Sequence, residues 1–527
     1  MTDSARPKAK GLLRSSAIVS GMTMISRVLG LVRDILLARF IGAGGEADAF
    51  YIAFKVPNFL RRLFAEGAFA QAFVPVLSEL RQSGPHAAVK HFVDRIAGCL
   101  GLSLLLITVL VVIAAPLVAA IFGFGFIVND QWQKFWLTSE LLRITFPYLF
   151  LISMTGFAGG ILNSYDRFAV PALTPVFLNL SLITAAAFVS PHLAQPVYAL
   201  AWAVFVAGVL QLALQLPYLA RLSLLPRPKL DWKDKQVKKV LKLMAPAIFG
   251  VSVSQINLTL DTILASFLVD GSIGWLFFSD RLIELPLGVF AVGIATVILP
   301  NLSRQFSADD GRFGATLAWA MQMVLLIAIP AALALILLAK PLLYTLFQYG
   351  EMSAHDMDMA ALSLRAYAVG LCAFMLIKVL ASAYFSRQDM KTPVRIGVIA
   401  MIANMFLNLI FVLPLLWLWN IGHVGLAAAT SCSAALNAFL LYRGLSKLSV
   451  FDGQGHWPIY LLRLVFAALV MSAVVYWLMA QQQDYAALDW FDRCLQLGVL
   501  VGGGLVSYGF ALLLAGMRPR HLKPTHA

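Results

Sequence analysis

Residues 101–122 read GLSLLLITVLVVIAAPLVAAIF and contain no charged side chain. A helix needs about 20 mostly apolar residues to cross the hydrocarbon core of a bilayer, so this run is long enough to span a membrane. Scanning outward in both directions predicts fourteen such spans, of which the first two and the eighth are the least apolar. They are 15–41, 49–79, 93–122, 134–158, 168–190, 196–220, 238–268, 273–303, 315–339, 357–385, 393–417, 421–442, 457–480 and 493–516.

The overall composition also indicates an integral membrane protein. Of the 527 residues, 60% are hydrophobic and 13% charged, and the mean hydropathy is +0.83. A soluble protein carries about 25% charged residues. The net charge of +14 does not indicate nucleic-acid binding, because many of the basic residues lie in short links between apolar runs. The composition therefore predicts an all-α protein that crosses a membrane many times.

Lysine and arginine alternate between rich and poor loops along the chain. Because cytoplasmic loops carry the excess of these residues, the pattern predicts that both termini are cytoplasmic. The rich loops include the neighbourhoods of Lys10, Arg81, Arg167, Arg304 and Lys447 and the segment 221–242. The poor loops hold few basic residues beyond Lys134, Lys340 and Arg493, which lie at predicted helix edges. An even number of spans satisfies this alternation.

The chain also repeats itself. Residues 34–44, DILLARFIGAG, resemble residues 261–271, DTILASFLVDG, with five of eleven positions identical. The triplet 165–167 with Pro171 likewise resembles 387–389 with Pro393. The order and near-constant spacing predict a duplication of six-helix lobes related by a pseudo-twofold axis along the membrane normal. We expect an N-terminal lobe over 1–222, a C-terminal lobe over 223–447, and two extra helices over 448–527.

Arginines occur deep within three of the predicted spans. Arg27 lies roughly 18 Å from the start of its span at 1.5 Å per residue, which is too deep for its head to reach the interface easily. Arg33, Arg61 and Arg281 are the other three. A charge inside a membrane is costly and normally faces a cavity or a partner. Since guanidinium groups bind phosphate bidentately, these four residues predict a hydrated pocket for a diphosphate.

Other polar residues near these arginines would support the pocket. An internal network of ion pairs that locks the lobes together is the alternative interpretation, especially for Arg62 and Glu66, which lie four apart on one helix. The excess of positive charge favours an anion site, because a structural network would tend toward balance. The supporting residues are Asp34, Asp48, Asn58, Arg62, Glu66, Asp280 and Glu284.

A second set of residues offers oxygen ligands to a cation. Asp261 is the repeat counterpart of Asp34, Asn404 and Asn408 share a helix face, and Thr430 lies on the next predicted helix. Hard monovalent cations favour oxygen ligands, so a sodium site is one interpretation and ordinary interhelical hydrogen bonding is the other. Bends at Pro57 and Pro286 would shape the cavity and let the lobes rock. No catalytic triad, phosphate-binding loop or zinc motif is present in the sequence, so we expect no enzyme activity and no organic cofactor.

Several motifs resemble one family. Residues 20–34, SGMTMISRVLGLVRD, resemble the opening of the MurJ (MviN) lipid II flippases, as do 47–50, 54–58, 61–75 and 280–284, DRLIE. The resemblance implies the multidrug/oligosaccharidyl-lipid/polysaccharide (MOP) exporter fold. By motif match, Arg27, Arg33, Arg61 and Arg281 correspond to the family's essential cavity arginines, and Asp48 to its acidic residue at the start of the second helix. The family's last two helices, here about 457–516, form a groove for the polyprenyl tail.

The resemblance implies that the chain moves lipid II, a polyprenyl-diphosphate-linked peptidoglycan precursor, from the inner to the outer leaflet of a bacterial plasma membrane by alternating access. The expected partners are lipid II, membrane lipids and the cell-wall synthesis machinery, and the coupling cation would be Na⁺ or H⁺. Some members bind sodium, but a position often acidic in the family is Asn408 here. A flippase of O-antigen or capsule intermediates and a MATE-type drug antiporter are the alternatives, and the arginine excess argues against the second.

Overall fold

A computed structural model of the protein describes residues 8–62, 69–308, 311–448, 450–451, 457–482 and 485–518, with the side chains of 8–20, 245–254 and 258 left out. Within these ranges every regular element is helical, which confirms the predicted fold class. The α-helices are α1 (Lys8–Ile41), α2 (Gly45–Arg61), α3 (Phe69–Ser83), α4 (His86–Ile113), α5 (Ala115–Phe122), α6 (Phe124–Val128), α7 (Trp132–Thr145), α8 (Tyr148–Ser164), α9 (Ala169–Thr184), α10 (Val197–Arg221), α11 (Lys235–Ala265), α12 (Ser272–Pro286), α13 (Val292–Ser307), α14 (Phe313–Leu337), α15 (Ala339–Phe347), α16 (Ala354–Ser386), α17 (Lys391–Trp419), α18 (Gly422–Lys447), α19 (Trp457–Ala480) and α20 (Trp490–Leu514).

Eleven helical segments of the described chain are long and apolar enough to cross a membrane, and each coincides with one of the predicted spans. The other three predicted spans, 15–41, 49–79 and 238–268, fall on α1, on α2 with α3, and on α11. Each of the three carries charged residues and lies partly outside the described side chains. The total of fourteen spans therefore stays a prediction, whereas the many-span helical architecture is confirmed.

The chain divides into two compact units, Met1–Gly271 and Ser272–Ala527. Helix α11, which the repeat assigns to the C-terminal lobe, packs against α3 and α4 and so belongs to the first unit. This division reflects packing, whereas the predicted boundary at 222/223 reflects sequence repetition. The predicted lobe boundaries are not tested by it and remain predictions.

In the first unit, α1 packs on α9, α10 packs on α8 and α9, and α2 packs on α7. An aromatic cluster fills the space between α3, α4 and α8, where the ring of Phe73 stacks on Phe92 at 5.6 Å and meets Phe157 at 5.1 Å. Small residues allow close approach of other helices. A Cβ atom at Gly208 in α10 would lie 2.9 Å from Leu151 and Tyr148 of α8. Such contacts fix the helices that carry the polar residues described below.

In the second unit, α16 lies at the centre and packs against α12, α14 and α18. Gly370 of α16 lies against Ser431 of α18, where a Cβ atom would approach the serine hydroxyl to 2.6 Å. Helices α19 and α20 pair with each other and bury Met471, Leu500 and Tyr508 against side chains of α14. The last two helices therefore attach to the second unit through an apolar contact.

The same turn follows α8 and α16, as the predicted repeat requires. Asp166 (φ 60°) and Gln388 (φ 59°) both adopt the left-handed conformation one residue beyond the helix cap. The next backbone N–H then donates back five residues, from Arg167 to Leu162 and from Asp389 to Tyr384. This is the Schellman pattern of helix termination. The triplets at 165–167 and 387–389 are thus equivalent in structure as well as in sequence.

Candidate functional site

Helix α1 carries the first arginines of the predicted site. Arg27 lies fourteen residues before the end of α1 at Ile41, about 21 Å along the axis, and is half-buried. Arg33 is buried, with 8% of its surface exposed. Its Nε and Nη2 groups donate to Oδ1 of Asp34 at 2.9 and 2.7 Å. The buried carboxylate therefore fixes the guanidinium plane of Arg33.

Asn179 of α9 completes this arrangement, and the sequence analysis did not identify it. Nη1 of Arg33 donates to Oδ1 of Asn179 at 3.0 Å, and Nδ2 of Asn179 donates to the carbonyl oxygen of Ser26 at 2.9 Å. A guanidinium has five N–H donors, and these contacts use three. Two N–H groups on Nη1 and Nη2 are thus available to a ligand. The only signal in the sequence is one amide within an otherwise apolar run.

Helix α2 carries the next predicted arginine, Arg61, together with Asn58. Nε of Arg61 donates to Oδ1 of Asn58 at 3.2 Å, and Nδ2 of Asn58 donates to the carbonyl oxygen of Phe54. Arg61 is half-buried and Arg62 is exposed. Pro57 lies inside α2, which continues to Arg61. The predicted partner Glu66 lies outside the described residues, so the Arg62–Glu66 pair is untested.

Asp48 pairs with a lysine that the sequence analysis did not connect with it. Its carboxylate is 1% exposed and accepts from Nζ of Lys134 at 3.0 Å and from the backbone N–H of Gly271 at 2.9 Å. The same Nζ lies 2.9 Å from Asp270 and 4.3 Å from the ring centre of Phe126. Asp48 is thus a buried ion-pair partner. It joins α2 to α7 and to the segment that follows α11. Lys134 could have been suspected because it is one of few basic residues on the poor side of the chain.

The second unit carries the fourth arginine. Arg281 of α12 is half-buried, its Nη1 donates to Glu284 at 2.7 Å, and its guanidinium lies 4.8 Å from the ring centre of Phe277. Asp280 beside it is exposed. Directly after Pro286 the helix changes to π-helical hydrogen bonding over Leu287–Ala291. Prolines and π segments are both known causes of helix bending, and the bend expected at Pro286 stays a prediction.

The candidate cation ligands are divided between the units. Asn404 and Asn408 lie one turn apart on α17 and are both 1% exposed. The hydroxyl of Thr430 on α18 donates to the carbonyl oxygen of Leu426. Asp261 is half-buried on α11 in the first unit. Among the described residues, no group of three or more His, Cys, Asp or Glu side chains could hold a metal. A sodium site made by these residues remains untested.

The excess of basic over acidic side chains supports the arginine assignments. Residues 27–62 contain six basic and three acidic side chains, so positive charge exceeds negative charge in the helices that carry the site. Arg33, Asp34 and Asn179 form one cluster, and Asp48, Lys134 and Asp270 form another. Arg33 keeps two N–H groups for an anion, whereas the second cluster pairs its charges internally. The first arrangement can bind phosphate oxygens, and the second joins helices.

Comparison with known proteins identifies the family. The family model described as "Lipid II flippase MurJ" matches residues 37–493. A Vibrio cholerae serotype O1 protein named "Probable lipid II flippase MurJ" is 48% identical over 521 residues, which cover 98% of each chain. The solved structure named "Lipid II flippase MurJ, inward closed conformation" aligns with a TM-score of 0.78 at 26% identity, covering 95% of this chain and 100% of that one. An inward-facing MATE transporter of the MOP superfamily shares the fold, with a TM-score of 0.65 at 15% identity over 83% of this chain and 99% of its own. These matches confirm the resemblance carried by the N-terminal motifs, and the chain belongs to the lipid II flippase MurJ family.

Proposed function

We propose that this protein is a lipid II flippase, which moves the diphosphate-linked peptidoglycan precursor from the inner to the outer leaflet of a bacterial inner membrane. The observation that carries the proposal is the 48% identity to a relative named as such a flippase along 98% of both chains. A relationship confined to the fold, as with the MATE transporter, would leave the substrate open. The identity here extends along nearly the whole of both chains, beyond a likeness of fold.

The arginines give this substrate a physical basis. The diphosphate of a lipid-linked precursor carries negative charge that must be stabilised as it leaves the interface. Guanidinium groups stay charged in any cavity and match two phosphate oxygens at once. Arg33 is held by Asp34 and Asn179 with two N–H groups remaining, so it meets a ligand already oriented. We propose that Arg27, Arg61 and Arg281 also contact the anionic head group.

The transport step would be alternating access. The π segment Leu287–Ala291 would let the helix that carries Arg281 bend during a rocking movement. Movement needs a bias, either differential affinity of the substrate or an ion gradient. We propose Na⁺ or H⁺ as the coupling cation, with the side-chain oxygens of Asn404, Asn408, Thr430 and Asp261 as ligands. Buried amide oxygens suit a hard cation such as sodium.

The remaining expectations follow from the same proposal. The chain would lie in the inner membrane as a multi-pass protein with both termini cytoplasmic, as its basic loops predict. It would perform no covalent chemistry, because flipping moves a lipid without breaking a bond. The cell-wall synthesis machinery that supplies and consumes lipid II would be its functional partner. Helices α19 and α20 would accept the polyprenyl tail.

The proposal is tested by replacing the native flippase in depleted cells with Arg27→Gln or Arg281→Gln. Losing one charge-assisted hydrogen bond of about 1.5–3 kcal/mol should lower substrate affinity by roughly 10-fold to 100-fold. We expect lipid II to accumulate and growth to stop, at normal expression of the variant. Arg39→Gln on α1 and Arg304→Gln on α13 are matched controls, since both arginines are exposed and outside the site.

The same cells separate lipid II from other polyprenyl-linked substrates. Depletion of this chain should raise the lipid II pool and leave O-antigen and capsule precursors unchanged. Accumulation of one of those precursors instead would contradict the proposed substrate. Full growth of cells that carry only Arg27→Gln and Arg281→Gln variants would contradict the assigned residues. A drug-resistance phenotype without precursor accumulation would favour the antiporter.

A further inference from the structure

The segment that joins α10 to α11 is strongly basic. Residues 221–242, here called the basic linker, contain eight Lys or Arg and two Asp residues. The loops richest in lysine and arginine predict that this side of the protein is cytoplasmic. Nothing in the proposed transport reaction uses this charge. The basic linker therefore needs an explanation of its own.

The basic linker is held in one position on α4. Asp94 of α4 is 3% exposed, and its Oδ1 accepts from the backbone N–H of Arg227 at 2.7 Å. Its carbonyl oxygen accepts from the backbone N–H of Lys229 at 3.0 Å. Gly98 lies directly beneath, where a Cβ atom would come within 2.2 Å of the Lys229 carbonyl oxygen. Only glycine permits this approach, so the linker backbone is docked and not loose.

Both acidic side chains of the linker are already paired. Arg95 of α4 lies 3.3 Å from Asp231 and forms a hydrogen-bonded ion pair with Asp234. Asp234 also caps α11 by accepting from the N–H groups of Gln236 and Val237. The acidic charges of the linker therefore do not neutralise its lysines. In the described chain, no carboxylate contacts the exposed ammonium groups of Lys229, Lys233, Lys235, Lys238 and Lys242.

The docked linker lies at the level where the hydrocarbon core begins. From Ile96 to Ile113, α4 contains no charged residue, and Asp94 and Arg95 immediately precede this run. Contact of Lys229 with Asp94 and Gly98 thus places the linker at that boundary. Next to it, Leu230 and Trp232 are 60% and 44% exposed. Tryptophan is enriched at membrane interfaces, and an exposed leucine is stabilised there by burial among acyl chains.

We propose that the basic linker is a binding site for anionic glycerophospholipids of the cytoplasmic leaflet. Lys229, Lys233 and Lys235 contact the phosphate head group, while Leu230 and Trp232 insert beside the acyl chains. A soluble phosphate would use the lysines but leave the apolar pair unexplained. This site is separate from the arginines assigned to lipid II, and it attaches the segment between α10 and α11 to the bilayer surface while other helices move.

The test uses the purified full-length chain and native mass spectrometry with phosphatidylglycerol or phosphatidylcholine of the same acyl chains. We expect the wild type to retain phosphatidylglycerol preferentially. Replacing Lys229, Lys233 and Lys235 by Gln should weaken this binding by roughly 100-fold, because each lysine near an anionic surface contributes about a factor of five. Replacing the same three by Arg keeps the charge and should keep the affinity.

A matched control removes equal charge elsewhere on the same predicted side. Lys391, Arg395 and Lys447 are exposed, and replacing all three by Gln should leave phosphatidylglycerol binding close to that of the wild type. Equal affinities of the wild type and the linker Gln variant would overturn the proposal, as would an equal loss in the control variant. Equal elution and thermal midpoints show that the variants are folded, since these lysines have no side-chain partner to lose.

Insertion of Trp232 is measured separately in vesicles. Brominated phosphatidylglycerol quenches tryptophan fluorescence on contact. The fluorescence of the wild type should therefore be quenched more than that of Trp232→Phe, and the difference should correspond to the emission of one tryptophan. The difference should be smaller with brominated phosphatidylcholine. Equal quenching of the two proteins by the brominated phosphatidylglycerol would show that Trp232 is not inserted and would overturn this part of the proposal.

Discussion

Nη1 of Arg33 donates a hydrogen bond of 3.0 Å to Oδ1 of Asn179, although 146 residues separate the two in the chain. The contact joins α1 to α9 and, together with Asp34, holds the guanidinium in one plane. A buried arginine whose position is fixed by two helices binds an anion without first losing side-chain entropy. Asn179 is therefore a positioning residue for the proposed substrate contact.

Replacing Asn179 by Asp should test the charge around Arg33. The carboxylate still accepts from Arg33, but it adds a second negative charge beside Asp34 and reduces the attraction for a diphosphate. We expect lipid II transport to fall at least about 10-fold, since 1.4 kcal/mol of lost binding suffices. The thermal midpoint should fall as well, because a carboxylate has no N–H group to donate to the Ser26 carbonyl oxygen. Transport is measured by protection of reconstituted lipid II from an external enzyme.

Asn179→Ala is the complementary variant. It removes the acceptor for Arg33 and the donor to the Ser26 carbonyl oxygen, leaving buried groups unsatisfied at a cost of about 1–3 kcal/mol. The exposed pair Arg304–Asn301 is the control, because Asn301→Ala should cost little. Normal transport by Asn179→Asp would show that transport does not need a net positive charge around Arg33.

Lys134 should be more important for stability than its position near a helix start suggests. Its partner Asp48 is 1% exposed, so Lys134→Met removes a cation bound to a buried carboxylate. We expect the free energy of unfolding to fall by about 3–5 kcal/mol, as for other broken buried pairs. Denaturant titration in detergent measures this change.

A double-mutant cycle measures the interaction energy between Lys134 and Asp48. Lys134→Met combined with Asp48→Asn should cost less than the sum of the single variants, because the uncompensated charge is gone. Asp270→Asn is the control, since Asp270 is 57% exposed and an exposed pair contributes about 0–1 kcal/mol. Strict additivity of Lys134→Met and Asp48→Asn would contradict a direct interaction.

The sequence predicted the helical class, eleven spans that the structure matches and the likeness of 165–167 to 387–389, because apolar run length and short repeated motifs are local properties. It did not predict the partners of Arg33 and Asp48. In a membrane helix both the lipid-facing and the protein-facing side are apolar, so periodicity does not show which face meets a neighbour. The pairing of Asn179 with Arg33 and of Lys134 with Asp48 is found only when helix rotation is known.

Asp389 should make stability depend on pH at the turn before α17. Burial opposes ionisation of this carboxyl, but hydrogen bonds from Thr392 and from the Lys391 N–H, and the charge of Arg387, hold its pKa below the ordinary value. A lowered pKa in the folded state adds stability above the unfolded value of about 3.9, and this is lost as the pH falls through the folded pKa.

We therefore expect Asp389→Ala to lower the free energy of unfolding by about 0.5–2 kcal/mol at pH 6, as for other capping residues. The difference from the wild type should shrink as the pH falls below about 4, because the unfolded chain takes up the proton before the folded protein does. Asp389→Asn keeps an acceptor oxygen without a charge, so its stability should show a weaker pH dependence. If the difference in free energy of unfolding between the wild type and Asp389→Ala stayed constant from pH 6 to pH 3, the role of the charge would be contradicted.

Arg493 should hold the α19–α20 pair on the rest of the second unit. It is 6% exposed, and its Nη1 and Nη2 groups donate to the carbonyl oxygens of Tyr344 and Ala486 at 3.1 and 3.2 Å. A cation at the C-terminal end of α15 also complements the helix dipole. Arg493→Met should lower the free energy of unfolding by about 2–4 kcal/mol, because buried carbonyl groups lose a charged donor.

Hydrogen exchange should rise at residues 344–348 and 485–493 in Arg493→Met. The rise should be intermediate in Arg493→Lys, since an ammonium group keeps the charge without the planar fork. Arg463→Met on α19 is the control, and a similar rise in that variant would mean that any lost arginine loosens the pair.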